Sequence, residues 1–327
     1  MENENLPFVS IIIPTKNEEK RIESCLNALF SIDYPNEKFE VLVIDNGSVD
    51  STVRIAQKNK ATVYIRPELT IAGLRNFGSQ NASGTLIAFV DADVIVDRCW
   101  LRNAVKNFTS NNKSIACAGA NPGIPNNATW VMRGRYLMVL VKELKNIERK
   151  WITSMNLIVR KDIFMEVGGF NVGLITCEDV DLGYRISKRY RIVYDKSIKA
   201  VHLGEPRTLA ELFRKEMWRG TSNYQGIRSH GIISHEIPSL LMPIFYLGGI
   251  LTAGLAMIFG AFTSAFWIVA ALLLLPVFKT LTVVIVTGQY MMGLAFFICY
   301  TTYLLARTFS VLNYCRIKLQ PSSDKTS

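Results

Sequence analysis

The sequence predicts an α/β domain, with a mostly parallel sheet and helices on both faces, followed by transmembrane α-helices. Three observations lead there. Short β-branched runs alternate with segments of helical period from Phe8 to Val90. The strand-like runs end in polar, acid-bearing turns. From Leu240 to Ala306 the single formal charge is Lys279, a composition that suits helices facing lipid and not a water-facing domain surface.

Taken in order, Phe8–Ile13 reads as a strand ended by Pro14. Thr15-Lys16-Asn17-Glu18 then has the form of a capping box, opening a helix with Ile22, Leu26 and Leu29 on one face. Phe39–Ile44 is a second buried strand, ending in Asp45-Asn46-Gly47-Ser48, and Asp50 and Ser51 can cap a short helix through Ala56. Ala61–Ile65 is a third strand, Ile71–Asn81 a helix, and Leu86–Val90 a fourth strand that stops at Asp91-Ala92-Asp93. Such alternation specifies right-handed crossovers. Further on, a helix from Leu101, strands near Ile115–Ala118 and Leu157–Arg160, and a helix opened by Thr208-Leu209-Ala210-Glu211 are expected, the last amphipathic and suited to a bilayer surface.

The regions that follow are a cytoplasmic domain over 1–206, a juxtamembrane segment over 207–239, two or three transmembrane helices over 240–306, and a basic polar tail over 307–327. Pro276 interrupts the middle of the apolar block, and Gly288-Gln289 offers a turn. Basic residues on both flanks favour an even number of crossings with both ends in the cytoplasm. Nothing before Phe8 has the form of a signal peptide, so export of the first domain is not expected.

With 327 residues, 49% hydrophobic and 20% charged, the chain is neither a disordered tail nor short of core-forming residues. The net charge of +10 suits anionic lipid or diphosphate ligands, and no nucleic-acid motif accompanies it, so no nucleic-acid partner is expected. The six cysteines are widely spaced without a C-x-x-C pair, which indicates neither a zinc site nor a disulfide framework.

In open parallel sheets, ligands bind beyond the carboxyl ends of strands, where Asp45, Asp91 and Asp93 fall. No G-x-G-x-x-G or P-loop motif follows any strand, so a nucleotide here is held by other means. Asp91 and Asp93 on one turn supply the hard oxygens that Mg²⁺ or Mn²⁺ requires when it also holds phosphates. Glu178-Asp179 opens a short helix, where the dipole favours ionised acids. Plainer roles exist for each: Asp45 as a helix cap, Arg75 in a surface pair, the acid pair as a complement to the helix dipole.

These segments together resemble the family 2 glycosyltransferases, which have the GT-A fold. The resemblance runs from about Phe8 to Arg219 through Val9–Glu18, Val43–Thr52, Arg75-Asn76-Phe77-Gly78, Ala88–Asp93, Val167–Phe170 and Glu178-Asp179. It implies that Pro14, Thr15, Asn17, Glu18, Asp45, Arg75 and Asp91 form a nucleotide pocket. It implies a divalent cation held by Asp93, Asp91 and His202, and a catalytic base at Asp179 with Glu178 alongside. Trp218 and Arg219 stand where processive polysaccharide synthases carry Q-x-x-R-W, but the order is W-R and the Gln is missing, so a membrane- or acceptor-facing role and single-sugar transfer are expected.

The expected function is therefore a membrane-anchored, inverting, metal-dependent transferase of the cytoplasmic membrane. It would move one sugar from a nucleotide-sugar to a lipid-linked or glycan acceptor, in contact with membrane lipids and with room for a homo-oligomer. A polyprenyl-phosphate sugar synthase is the nearest alternative, since a phosphate acceptor needs no general base. A nucleotidyltransferase and a noncatalytic membrane subunit are the others.

Overall fold

A computed structural model of the chain describes residues 6–109, 114–144, 150–174, 176–230 and 237–319. The chain divides into two compact units: residues 1–125 with 148–204, and residues 126–147 with 205–327.

The first unit is built on strands β1 (Val9–Thr15), β2 (Phe39–Asp45), β3 (Thr62–Ile65), β4 (Leu86–Val90), β6 (Ile115–Gly119), β7 (Asn156–Arg160) and β8 (Arg191–Tyr194). A small second sheet pairs β5 (Val94–Val96) with β9 (Ala200–His202). Its helices are α1 (Ile22–Leu29), α2 (Thr52–Lys58), α3 (Ile71–Asn81), α4 (Trp100–Thr109), α6 (Lys161–Glu166) and α7 (Glu178–Ser187). The strand order is β3-β2-β1-β4-β7-β6-β8. β1 to β4 are mutually parallel, whereas β7 runs antiparallel to both β4 and β6. The alternation of the first half gave the parallel strands correctly. The reversal at β7 and the β5–β9 pair carry no periodic signal.

The continuous apolar run of β1 is explained by its central place, with both faces covered. Ile11 and Ile13 pack with Leu26 of α1 and Trp100 of α4 on one face, while Ile12 packs with Ile44, Phe89, Phe164 and Phe170 on the other. Helix α3 lies close because Gly78 has no side chain: a Cβ there would come within 2.6 Å of Ile12 Cγ2. From β1 the chain moves outward to β2 and β3, then crosses to β4 on the other side. That reversal opens a crevice at the carboxyl ends of β1 and β4.

The anticipated capping box does not form. Thr15 is the last residue of β1, Asn17 takes a left-handed backbone (φ 55°), and α1 starts only at Ile22 after Glu18 O accepts from Arg21 and Ile22 N–H. Glu18 is thereby spent on the crevice and not on a helix cap.

The second unit contains α5 (Trp130–Leu144), α8 (Leu209–His230), α9 (Ile237–Ile258), α10 (Phe262–Thr287) and α11 (Gly293–Leu319). Helix α5, which lies within the expected span 1–206, packs in this unit through Val131 with Leu212 and Cys299, and through Leu137 with Val283 and Phe296. Among the described residues, three helical stretches are long and apolar enough to cross a membrane: Leu240–Ile258, Phe262–Thr287 and Tyr290–Asn313. Three is the larger of the two counts expected, and flanking charge favours an even number. The middle stretch is longer than the sequence suggests because α10 continues through Pro276, with Thr280 Oγ1 donating back to the Pro276 carbonyl at 2.7 Å. Gly288, with φ 68°, then caps α10 and separates it from α11. Phe245, Phe266 and Phe278 are 64–66% exposed, a surface that lipid would cover.

Candidate active site

The turn after β1 and the loop after β2 form one wall of the crevice, stitched by their own polar groups. Asn17 N–H donates to Ser48 Oγ (2.8 Å), Val49 N–H to Asn17 Oδ1 (3.0 Å), and Glu18 N–H to Thr52 Oγ1 (2.8 Å). Asp45, fully buried, accepts from the backbone N–H of Ser48 (2.8 Å) and from its hydroxyl. Asn46 Nδ2 donates to the carbonyl of Leu69 at 2.8 Å and its Oδ1 accepts from Lys16 Nζ at 3.0 Å, tying this wall to the approach of α3. The outcome is a preformed concavity of about 330 Å³ lined by Pro14, Thr15, Lys16, Glu18, Asn46, Ile71, Leu74, Asp91, Ala92 and Asp93.

Of the residues expected at the nucleotide, Pro14, Thr15, Glu18 and Asp91 line this cavity, and so does Asp93. Asn17, Asp45 and Arg75 do not; they stand behind it and hold its loops and carboxylates. Lys16, Asn46, Ile71 and Leu74 line it without having been singled out. The spacing of Asn46 within the turn after β2 was the available signal for one of them. Among the described residues, Thr15 Oγ1, Glu18 Oε2 and Arg75 Nε are buried polar atoms without a hydrogen-bond partner. Of these, Thr15 and Glu18 line the cavity.

Arg75 ties the cavity to the acid pair. Its Nη2 donates to Asp91 Oδ1 (2.8 Å) and its Nη1 to Glu178 Oε1 (2.7 Å), with the guanidinium only 3% exposed. Burial alone would lower its pKa, yet Asp91 and Glu178 outweigh that and hold it above the ordinary value. Asn76, one residue on, pins Phe170 through both backbone groups at 2.8 Å, and Arg185 Nη2 donates to the Gly169 carbonyl at 2.7 Å. The Gly-Gly-Phe loop is thus clamped between α3 and α7, which sets where α7 begins.

At that start, Asp179 Oδ1 accepts from Val180 N–H (2.8 Å) and Oδ2 from Ser154 N–H (3.3 Å). Its pKa is raised to about 7. Withdrawal from water is the main cause and the neighbouring Glu178 carboxylate adds to it, against a lowering by Arg75. Glu18 is also raised, first by burial, with Arg21 opposing and Asp93 adding. A carboxylate poised near neutrality can take up a proton and hold it.

Asp93 Oδ2 and His202 Nε2 face each other at 3.2 Å, brought together by the β5–β9 pairing in which Val94 opposes His202. A Cβ on Gly204 would overlap Asp93 Oδ2 and approach His202 Nε2 to 2.9 Å. Arg21 Nη1 also donates to Asp93 Oδ2, at 3.0 Å. Among the described residues no group of three or more His, Cys, Asp or Glu could hold a metal ion. A carboxylate oxygen beside an imidazole nitrogen would suit a divalent cation that accepts mixed oxygen and nitrogen ligands, with water and phosphate oxygens as the remaining ones. Asp91, also expected as a ligand, accepts from Arg75 Nη2 through its Oδ1.

Trp218 and Arg219 belong to the second unit. Trp218 is 54% exposed, and Arg219 pairs with Glu216 at 2.7 Å.

A family model described as Glycosyl transferase family 2 matches residues 10–174. The chain is 32% identical over 228 residues to glycosyltransferase AglE of Haloferax volcanii, covering 67% of this chain and 74% of that protein. It is 32% identical over 108 residues to the dolichyl N-acetyl-α-D-glucosaminyl phosphate 3-β-D-2,3-diacetamido-2,3-dideoxy-β-D-glucuronosyltransferase of Methanococcus voltae, covering 31% of this chain and 34% of that protein. The structure of mannosyltransferase PcManGT from Pyrobaculum calidifontis, in complex with GDP-Man and Mn²⁺, superposes with a TM-score of 0.67 at 19% identity, over 97% of this chain and 89% of that one. This likeness is one of fold, and it assigns the first unit to the GT-A class. From its strand-end motifs to this match over half its length, the chain belongs to glycosyl transferase family 2.

Proposed function

We propose that this glycosyltransferase is membrane-anchored and inverting, and that it moves one sugar from a nucleotide-sugar onto a hydroxyl of a lipid-linked or glycan acceptor. The observation that carries the reading is Arg75, which joins the cavity carboxylate Asp91 to the acid pair Glu178-Asp179. The donor's nucleoside occupies the cavity between Pro14–Lys16, Asn46, Ile71 and Leu74. Asp93 and His202 would hold a divalent cation, which stabilises negative charge on the departing diphosphate when bound. Asp179 takes the acceptor's proton, a task suited to a carboxylate lifted toward neutral pH. Glu178, anchored by Arg75, lies beside Asp179. Attack by the acceptor oxygen directly on the anomeric carbon inverts its configuration.

The names of two matched proteins support the substrate class: one acts on a dolichyl-linked sugar phosphate and another was solved with GDP-Man and Mn²⁺. Helices able to cross a bilayer would keep the domain beside such a lipid, raising its effective concentration. We place the catalytic unit on the cytoplasmic side of the cytoplasmic membrane, where nucleotide-sugars are available.

The test is transfer by the full chain in detergent or nanodiscs, over a panel of nucleotide-sugars with and without Mn²⁺, for the wild type, Asp93→Asn and Asp179→Asn. Both variants should lose transfer; full activity in either rejects its assigned role. The polyprenyl-phosphate synthase reading is separated by Asp179→Asn alone, because attack by an already anionic phosphate would survive it.

A further inference from the structure

The cation site just described already contains a positive charge. Arg21 Nη1 lies 3.0 Å from Asp93 Oδ2, the oxygen that faces His202 Nε2 at 3.2 Å, and Arg21 Nε lies 3.4 Å from Glu18 Oε2. Asp93 and Glu18 are 14% and 23% exposed, so the guanidinium neutralises two carboxylates that are largely withdrawn from water. The Arg21 side chain itself is 39% exposed. It sits just before the first turn of α1 and makes no side-chain cap hydrogen bond there, so its departure from Asp93 removes no helix cap.

We propose that Arg21 is the exchangeable counter-ion of the cation site: it competes with the divalent cation for Asp93 Oδ2 and is released when the cation enters. This rests on the assignment of Asp93 and His202 to a cation. Two consequences follow from charge alone. Without nucleotide, the cation must displace a guanidinium whose Coulomb attraction to Asp93 is partly screened by water, so bare metal binds weakly. Once displaced, Arg21 is a mobile cation at the rim of a cavity whose ligand carries a diphosphate, which would compensate it. Arg21 is therefore a positioning residue that makes metal binding depend on nucleotide.

The experiment is Mn²⁺ binding to the full chain in detergent, read by electron paramagnetic resonance of free Mn²⁺, with no nucleotide and then with saturating GDP or UDP. Arg21→Gln should tighten bare Mn²⁺ binding about tenfold, the effect of removing one nearby partly screened charge. The gain on adding nucleoside diphosphate should shrink in the same variant. Arg21→Lys, which keeps the charge, should stay within about threefold of wild type. Equal or weaker bare binding by Arg21→Gln overturns the proposal. Asp93→Asn separates the two ideas. If it abolishes binding while Arg21→Gln changes nothing, the cation assignment stands and the counter-ion role falls. If neither Asp93→Asn nor His202→Ala alters binding, or if the wild type binds no Mn²⁺ at all, the assignment falls and the proposal falls with it.

Discussion

Each unit of this protein buries an ion-pair cluster, and the two are opposite in charge balance. In the catalytic unit, Arg75 serves Asp91 and Glu178 with Asp179 beside them, so acids outnumber the base. In the second unit, Glu216 is met by Arg135 (3.4 Å), Arg219 (2.7 Å) and Arg307 (3.0 Å), so bases outnumber the acid even after Arg135 takes Glu205 as well. The consequence appears in the acids. Asp179 is lifted to about 7, while Glu216, which burial alone would raise, is pulled down to about 2 by its arginines. Surplus negative charge leaves a group able to change protonation near neutral pH. Surplus positive charge locks one carboxylate in its ionised form, as a fastener between α5, α8 and α11 would require.

The sharpest way to break this contrast is Asp179→Asn. The amide oxygen can accept from only one of the Val180 and Ser154 N–H groups, which the carboxylate serves with separate oxygens, and the side chain cannot take a proton, so kcat should fall about 10³-fold. The same variant should lose the pH dependence of stability that Asp179 imposes. A carboxylate whose value rises from 3.8 to about 7 on folding lends stability that is complete below pH 3.8 and lost as pH climbs through 7. Asparagine removes that loss, flattening the stability curve between pH 4 and 7 in chemical denaturation. Unchanged kcat or an unchanged slope would remove the basis for the comparison.

Arg75→Gln should cost less in rate, about 10²-fold, but leaves a signature of its own. Arg75 lowers the Asp179 value, so its removal raises that value further and moves the acid limb of the pH–rate profile to higher pH. Leaving Asp91 and Glu178 without their shared partner should also cost about 3 kcal/mol of stability. If folding suffers too much for kinetics, Arg75→Lys keeps the charge while giving up the two-ended grip, and should show a smaller shift of the same sign. Smaller again is Gly204→Ala. Its Cβ would overlap Asp93 and crowd His202, so Mn²⁺ should bind about tenfold more weakly while nucleoside diphosphate affinity in the absence of metal is retained.

Much of the catalytic unit was legible because its physics is local. A parallel strand buried on both faces writes a continuous apolar run, and its carboxyl end is followed by a polar turn that lines the cavity, as at Lys16, Asn46 and Asp91. The division of labour within the site was not legible. Sequence alone does not say that Asp45 turns inward to Ser48 or that Arg75 bridges two acids as far apart in the chain as Asp91 and Glu178, because both depend on contacts made only after folding. Arg21 was missed for the same reason: it follows Lys20 in a run of charged residues, and nothing in that run singles it out as the partner of Asp93. In the membrane-facing part, Pro276 misled because proline usually ends a helix in water, whereas α10 carries it through an apolar stretch.

The smallest expected effect on transfer, and the one that tests the other half of the contrast, is Glu216→Gln. Glutamine matches the shape and can still accept one hydrogen bond, but the counter-charge to Arg135, Arg219 and Arg307 is gone. Arg135 keeps Glu205 at 2.7 Å, so the loss falls on Arg219 and Arg307. Glu216 is only 5% exposed, so screening by water offsets little, and the cost should be about 3 kcal/mol, read as a lower midpoint in thermal unfolding of the detergent-solubilised chain. The pH dependence separates lost charge from lost packing. A carboxylate lowered from 4.5 to about 2 lends stability above pH 4.5 that disappears as pH falls toward 2, so the wild type should weaken across that window and Glu216→Gln should not. The kcat of the folded variant should stay within about twofold of wild type, since a fastener changes how much protein is folded and not how fast the folded form works. A variant of undiminished stability that has lost transfer would instead place this arginine-rich cluster in the chemistry, and the two units would then share one function.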